Sequence, residues 1–343
     1  MEPINVFDYE ILAEERMDPI YWDYYAGGSD DEVTVRTNQS DFGRMRLRPR
    51  VLVDVNHCDT RTSVLGTPVG MPILVAPSAY HAMAHPQGEC ATAQGARAAG
   101  TLMIAATDSS RTLEEIASVA GEARWFQLYL YPTREIAAGL VRRAEAAGYR
   151  AIVLTVDMPV LGNRERDLRN RMTIPPPPLT RANFAGVNIE GHAWRTLTWD
   201  DVAWLRSLTA LPIVLKGILT AEDALLALEY GVSAIVVSNH GGRQLDSCVT
   251  GIEALPEIVD AVAGRCEVYC DGGFRRGTDI LKALALGARA VLVARPVLWG
   301  LAVNGAAGVQ HILEMLHSEL LRAMALTGCP TLASINRSLL KME

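Results

Sequence analysis

The chain has 343 residues, 49% hydrophobic and 21% charged, a make-up that fits a globular protein with a large core and sets aside a disordered or fibrous one. A formal net charge of -7, with no lysine-rich tail, argues against a general nucleic-acid binder, and no apolar run reaches the roughly 20 residues of a membrane helix. Six cysteines without a CxxC pair, and no basic or apolar leader in Met1-Glu-Pro-Ile-Asn5, read as reduced thiols in a cytoplasmic protein, while seven histidines without an HExxH or similar ligand set offer no metal site.

Residues 1–70 read as a lead-in. Asp8 to Arg16 and Ile20 to Ala26 carry helical patterns, the second crowded with Tyr21, Trp22, Tyr24 and Tyr25 and stopped by Gly27-Gly28. Arg46 to Val55 and Arg61 to Leu65 follow as short strands or connectors. From residue 71 a rhythm begins, in which apolar runs ending in polar or glycine residues alternate with Ala-rich amphipathic stretches. The runs are Met71 to Ala79, Thr101 to Asp108, Arg124 to Tyr131, Arg150 to Met158, Leu211 to Gly217, Val232 to His240, Glu267 to Gly273 and Ala288 to Arg295. Strict alternation of strand and helix implies a parallel sheet, and eight such units over 71–297 predict one α/β domain built as a (β/α)8 barrel. The rival, an open doubly wound sheet, lacks a GxGxxG after any strand. The interval 159–210 between the fourth and fifth strands, with Pro175 to Pro178 and then Asn183 to Arg195, predicts a long lid loop over the carboxyl-end face that closes on the substrate. Residues 298–343 predict one or two helices on the barrel's side.

Catalytic side chains of such barrels gather at the carboxyl ends of the strands. After the sixth strand comes Ser238-Asn-His-Gly-Gly-Arg-Gln-Leu-Asp246, where His240 can move a proton near neutral pH and Arg243 offers a fork that suits a carboxylate. The alternative is a glycine turn carrying a solvated pair. Asp157, ending the fourth strand, is the candidate partner that orients His240; it can equally cap a helix or pair with Lys216. Lys216 ends the apolar fifth strand and needs an anion. Gln127 and Thr155 end the third and fourth strands and can hydrogen-bond a ligand edge. Asp271-Gly272-Gly273-Phe274-Arg275 and Ala294-Arg295 end the seventh and eighth strands, where barrels commonly bind phosphate. Arg164 with Arg243, and the phenols of Tyr24 and Tyr129, are the candidates for holding a substrate carboxylate.

The stretch 238–246 resembles the signature of the FMN-dependent 2-hydroxy-acid oxidases and dehydrogenases, the glycolate, lactate and mandelate oxidising family. Supporting motifs run from Tyr24-Tyr-Ala26 through Met71 to Pro77, Ala84 to Glu89, Phe126 to Tyr129, Leu154 to Asp157 and Leu215 to Gly217 to Asp271 to Gly277, so the resemblance covers nearly the whole chain. It implies oxidation of an L-2-hydroxy acid to the 2-keto acid by a homotetramer, with His240 as base, Asp157 as its partner, and Tyr24, Tyr129, Arg164 and Arg243 on the substrate. It also implies FMN held by Pro77, Ser78, Ala79, Gln127, Thr155, Lys216, Ser238, Asp271 to Arg275, Ala294 and Arg295, with Lys216 facing charge that builds on the ring. The long loop is shorter than in plant glycolate oxidases and lacks the apolar insert of membrane-bound mandelate dehydrogenases, so O2, giving H2O2, is the expected acceptor ahead of a quinone.

Two positions depart from the family. The serine and tryptophan typical of its glycolate oxidases at the end of the second strand fall on Ala106 and Asp108 here, with Thr107 between them as a substitute hydroxyl near the flavin. Asp108 either alters substrate choice or begins the polar turn before the capping box Thr112 to Glu115. The rivals are an FMN isomerase, which has no need of the Arg164, Arg243 and His240 set, and a non-catalytic barrel for a phosphorylated ligand, which leaves His240 and Lys216 without a purpose.

Overall fold

The computed structural model describes residues 2–130, 133–187, 189 and 196–342. Eight parallel strands close into a barrel in chain order: β1 (Ile73–Val75), β2 (Met103–Ala105), β3 (Arg124–Leu128), β4 (Ile152–Thr155), β5 (Ile213–Ile218), β6 (Ala234–Val237), β7 (Glu267–Asp271) and β8 (Ala290–Val293). Val75 of β1 pairs with Met103 of β2, and Ile73 pairs back to Val291 of β8.

The period of two along each strand decides where its side chains go. Leu74, Ile104, Trp125, Val153, Val214 and Val236 pack with one another inside the barrel. Their neighbours Ile73, Met103, Phe126, Leu154, Leu215 and Val237 join the surrounding helices through residues such as Leu281 and Leu313. Five of those helices start on threonine. The hydroxyls of Thr112, Thr133, Thr220 and Thr250 each accept the amide three residues on, which satisfies a donor the helix itself leaves open. A hairpin (Thr62–Val64 and Thr67–Val69) turning on Leu65 and Gly66, both at positive φ, sets Val64 and Val69 into the inner cluster and stoppers the barrel at the strands' amino ends.

The lead-in helices fall where the pattern puts them, at Val6–Arg16 and Pro19–Ala26. A third, Val33–Ser40, was not expected. Its β-branched Val33-Thr34-Val35 has little helix propensity, and the distant Asp246 carboxylate supplies the missing start by accepting the amides of Val33 and Thr34 at 3.1 and 2.8 Å. The long interval also differs from expectation. Trp199–Leu208 is a barrel helix, a short helix occupies Glu165–Arg169, and the connection is therefore 159–198; Asn188 and 190–195 lie outside the described residues, as does Tyr131. The loop covers the carboxyl-end face, but its first third is tied down. Arg166 bridges Asp23 and Glu32, and Asn163 holds Asp30 through side chain and backbone. At the C-terminus, a helix over Arg295–Thr327, broken at Asn304 and Gly305, is followed by a strand, Leu340–Met342, antiparallel to Met45–Leu47. The expected run of helices to the end of the chain is corrected accordingly.

Leu74→Ala empties a fully buried position inside the barrel. It should cost about 2–5 kcal/mol, read from urea unfolding curves.

Candidate active site

The carboxyl ends of the strands surround a cavity of ≈ 360 Å³. Its floor comes from β1, β3, β4 and β5 through Pro77, Gln127, Thr155 and Lys216; the lead-in adds Tyr24 and Tyr25, and the long loop adds Leu161, Arg164 and Arg181.

His240 and Asp157 meet at this cavity. His240 Nδ1 lies 2.9 Å from Asp157 Oδ1, which leaves Nε2 for the cavity that the ring lines. Burial holds the imidazole below its usual range although Asp157 pulls it upward, so it is a neutral ring beside a carboxylate. Burial works to raise Asp157, but its interaction with His240, the hydrogen bond included, and the charge of Lys216 outweigh it and hold the carboxyl below its ordinary value. The alternatives of helix cap and direct Lys216 partner fall away. The carboxylate reaches this place because residue 217 is glycine: a Cβ there, at φ +115, would sit 2.6 Å from Asp157 Cβ. His240 itself has φ 58, followed by Gly241 and Gly242 at 67 and 76. A left-handed histidine costs on the order of 1–2 kcal/mol, the kind of strain that functional residues carry.

Lys216 is fully enclosed, with Nζ 3.0 Å from Asp271 Oδ2 and 2.8 Å from Ser238 Oγ. Burial favours its neutral form, yet Asp271 and Asp157 outweigh burial and raise its pKa, so the ammonium persists. Ser238 does not line the cavity. It works from behind, accepting from Lys216 and from the His240 amide. Thr107 is likewise set back, its hydroxyl donating to Gln127 O and accepting the Tyr129 amide. It therefore offers no hydroxyl in place of the one Ala106 lacks.

Arg164 and Arg243 stand together. Arg243 lies over the Tyr24 ring at 4.9 Å and donates to the carbonyls of Tyr24 and Gly27. Burial, with Arg164 adding to it, pushes its pKa down to about 9. The Tyr129 phenol is pushed well up by burial and by the charges of Asp157 and Asp108, so it stays a donor. Beyond β7 and β8, Arg275 stacks on Trp299 at 4.6 Å with its Nε buried; among the described residues that Nε has no partner, and Arg295 donates only to the carbonyls of Tyr25, Gly27 and Gly241. Both are pushed down to about 10, chiefly by burial. Two enclosed guanidiniums short of an anion beside glycine-rich strand ends fit a phosphate, and the buried, unpartnered Asp271 Oδ1 and Arg275 Nε mark polar atoms that a bound group would satisfy. The residues present thus fit a flavin mononucleotide. Of the expected cofactor set, Pro77, Ser78, Ala79, Gln127, Thr155, Lys216, Asp271 to Arg275, Ala294 and Arg295 line the cavity, as does Asp108 from the expected substrate set.

Sequence reasoning missed Tyr25 and Arg181. Tyr25 donates to the carbonyls of Ala79 and Tyr80, and nothing in its spacing separates it from Tyr24. Arg181 follows the proline run in a loop without periodicity and pairs with Asp108.

The profile of the family described as FMN-dependent dehydrogenase matches residues 13–342. L-lactate oxidase of Nostoc sp. is 51% identical over 99% of this chain and 98% of its own length. Glycolate oxidase of Spinacia oleracea is 48% identical over 98% and 95%. Among solved structures, one of mandelate oxidase with 2-hydroxy-phenylacetamide superposes with a TM-score of 0.94 at 45% identity, covering 99% of this chain and 98% of that one.

Lys216→Met leaves Asp271 buried opposite no cation. Urea unfolding should show a loss of about 3–5 kcal/mol, the cost of breaking one side of an enclosed pair.

Proposed function

We propose, since the chain belongs to the FMN-dependent dehydrogenase family, that it oxidises an L-2-hydroxy acid to the 2-keto acid and returns the electrons to O2 as H2O2. The observation that carries this reading is the His240–Asp157 pair opening on a cavity that also holds Arg164 and Arg243. Bound FMN, held by the cavity residues of β1, β3, β4, β5, β7 and β8, would supply the two-electron acceptor for the hydrogen of the substrate α-carbon.

The chain's own residues do the rest. Arg164 and Arg243, with the phenols of Tyr24 and Tyr129, bind the substrate carboxylate and fix the α-carbon in place; an anion there offsets the burial, and the neighbouring Arg164 charge, that depress Arg243. Neutral His240 takes the proton at Nε2, and Asp157 stabilises the imidazolium that results. Lys216, kept charged by Asp271 and Asp157, would stabilise negative charge on a bound flavin. The proposal takes the chain as a single catalytic domain, extends by the family resemblance to a homotetramer and, from cysteines that are free thiols, to a cytoplasmic setting. No helix among the described residues is long and apolar enough to cross a membrane.

Anaerobic titration of the flavin-loaded protein with L-2-hydroxy acids, followed by air, tests the reading. Bleaching of the flavin bands and rapid recovery in air are expected. Slow recovery moves the protein to an acceptor such as a quinone, and no bleaching by any acid discards the reaction.

The base must be neutral, and burial sets its pKa below the ordinary 6.5. kcat/KM should therefore rise with pH through a limb centred below 6.5 and stay level until the alkaline range, where Arg243, pushed down to about 9, begins to lose the charge that binds the substrate carboxylate. Asp157→Asn removes the charge that favours the imidazolium, so the limb should shift lower still and kcat should fall by roughly 10²–10⁴.

A further inference from the structure

Asp108 ends the segment after β2 and is 6% exposed, on the cavity wall. Its Oδ1 lies 3.4 Å from Arg181 Nε, and the same Nε donates to the Tyr80 hydroxyl at 3.0 Å. Tyr80 braces both partners, since its amide donates to the Asp108 carbonyl at 3.2 Å while its own carbonyl accepts the Tyr25 phenol at 2.7 Å. The loop that carries Arg181 is sewn to the Asp108 segment as well: the Ala182 amide donates to Ser109 O at 3.0 Å and Asn183 Nδ2 to Thr107 O at 2.9 Å. A carboxylate and a guanidinium are thus held in place before any ligand arrives. Asp108 lines the same cavity as Tyr129 and His240, and its charge, with that of Asp157, raises the Tyr129 phenol further than burial alone does.

With the substrate carboxylate on Arg164 and Arg243, this second polar wall is left for the substituent on the α-carbon. An apolar substituent would cover the ion pair and return no hydrogen bond to it, which is costly in a water-poor site. A second carboxylate would meet Asp108, and a cation would meet Arg181. A hydroxyl can donate to the carboxylate and accept from the guanidinium at once. We propose that Asp108 and Arg181 form a subsite for a short hydroxyl-bearing side chain, so that the preferred substrates are 2,3-dihydroxy acids rather than acids with alkyl or aryl side chains. This rests on the oxidation of 2-hydroxy acids proposed above.

The test compares kcat/KM for two isosteres, L-glycerate and (S)-2-hydroxybutyrate, which differ by a hydroxyl in place of a methyl, with L-malate as the acidic control. The flavin-loaded protein should prefer glycerate by at least about tenfold and turn over malate more slowly than either. Asp108→Leu should bring the glycerate preference to one or below, with retention of the flavin absorbance showing that the variant is folded. Asp108→Asn, which keeps a hydrogen-bonding group at the same size, should retain a reduced preference and serves where the leucine variant does not fold. A wild-type ratio near one, a ratio unchanged in Asp108→Leu, or malate as the best substrate overturns the subsite while leaving the oxidation intact. Failure of every acid to reduce the flavin removes the reaction itself, and the subsite with it.

Discussion

The hydrogen bond between Asp157 and His240 is the contact around which the carboxyl-end face is arranged. It requires a carboxylate in an enclosed place, and several features exist to keep it there. Gly217 makes room beside it, and Gln244 Nε2 donates to the Asp157 carbonyl. Lys216 lends a positive field while resting on Asp271 and Ser238. Ser238 in turn accepts the amide of His240, so the imidazole and the ammonium are referenced to one hydroxyl. Moving any one of these shifts the others.

A second theme is charge left over. Arg243, Arg275 and Arg295 are enclosed and donate largely to main-chain carbonyls. Arginine seldom sits in protein without an anion unless one is meant to arrive. The excess divides in two, one part by the catalytic pair and one beyond β7 and β8, which matches a substrate carboxylate and a cofactor phosphate approaching from different directions. Electrostatic attraction for both ligands is thus built in, in a chain whose formal net charge is -7.

Much of this was legible in the residues. All eight apolar runs are strands of one barrel, because buried parallel strands are nearly continuous Val, Ile and Leu and the breaks between them are sharp. His240, Asp157, Lys216 and the two arginine sets could be picked out because polar residues at the end of apolar strands stand out. What stayed hidden depends on contacts distant in the chain. The helix at Val33–Ser40 owes its start to Asp246, and Asn38 pairs amide to amide with Asn239. Three residues of the 238–246 stretch, Asn239, Gln244 and Asp246, thus hold the lead-in and the long loop rather than a ligand. Arg181 was invisible for the same reason, since only the folded loop brings it to Asp108.

The pairing of Met45–Leu47 with Leu340–Met342, like that of β1 with β8, joins segments at opposite ends of the sequence. Neither pair can form until the second partner, at 291–293 or 340–342, has been made and has left the ribosome. Until then β1 presents an open edge, the hairpin at Thr62–Val69 lacks the Glu267 side chain that its Leu65 amide donates to, and the aromatic lead-in has no completed barrel to lie against. Such non-local closure slows folding and lengthens the time that sticky surface is exposed. Chaperone demand during synthesis, and sensitivity to interruption of translation before these later strands are made, are the cellular counterparts of that one topological fact.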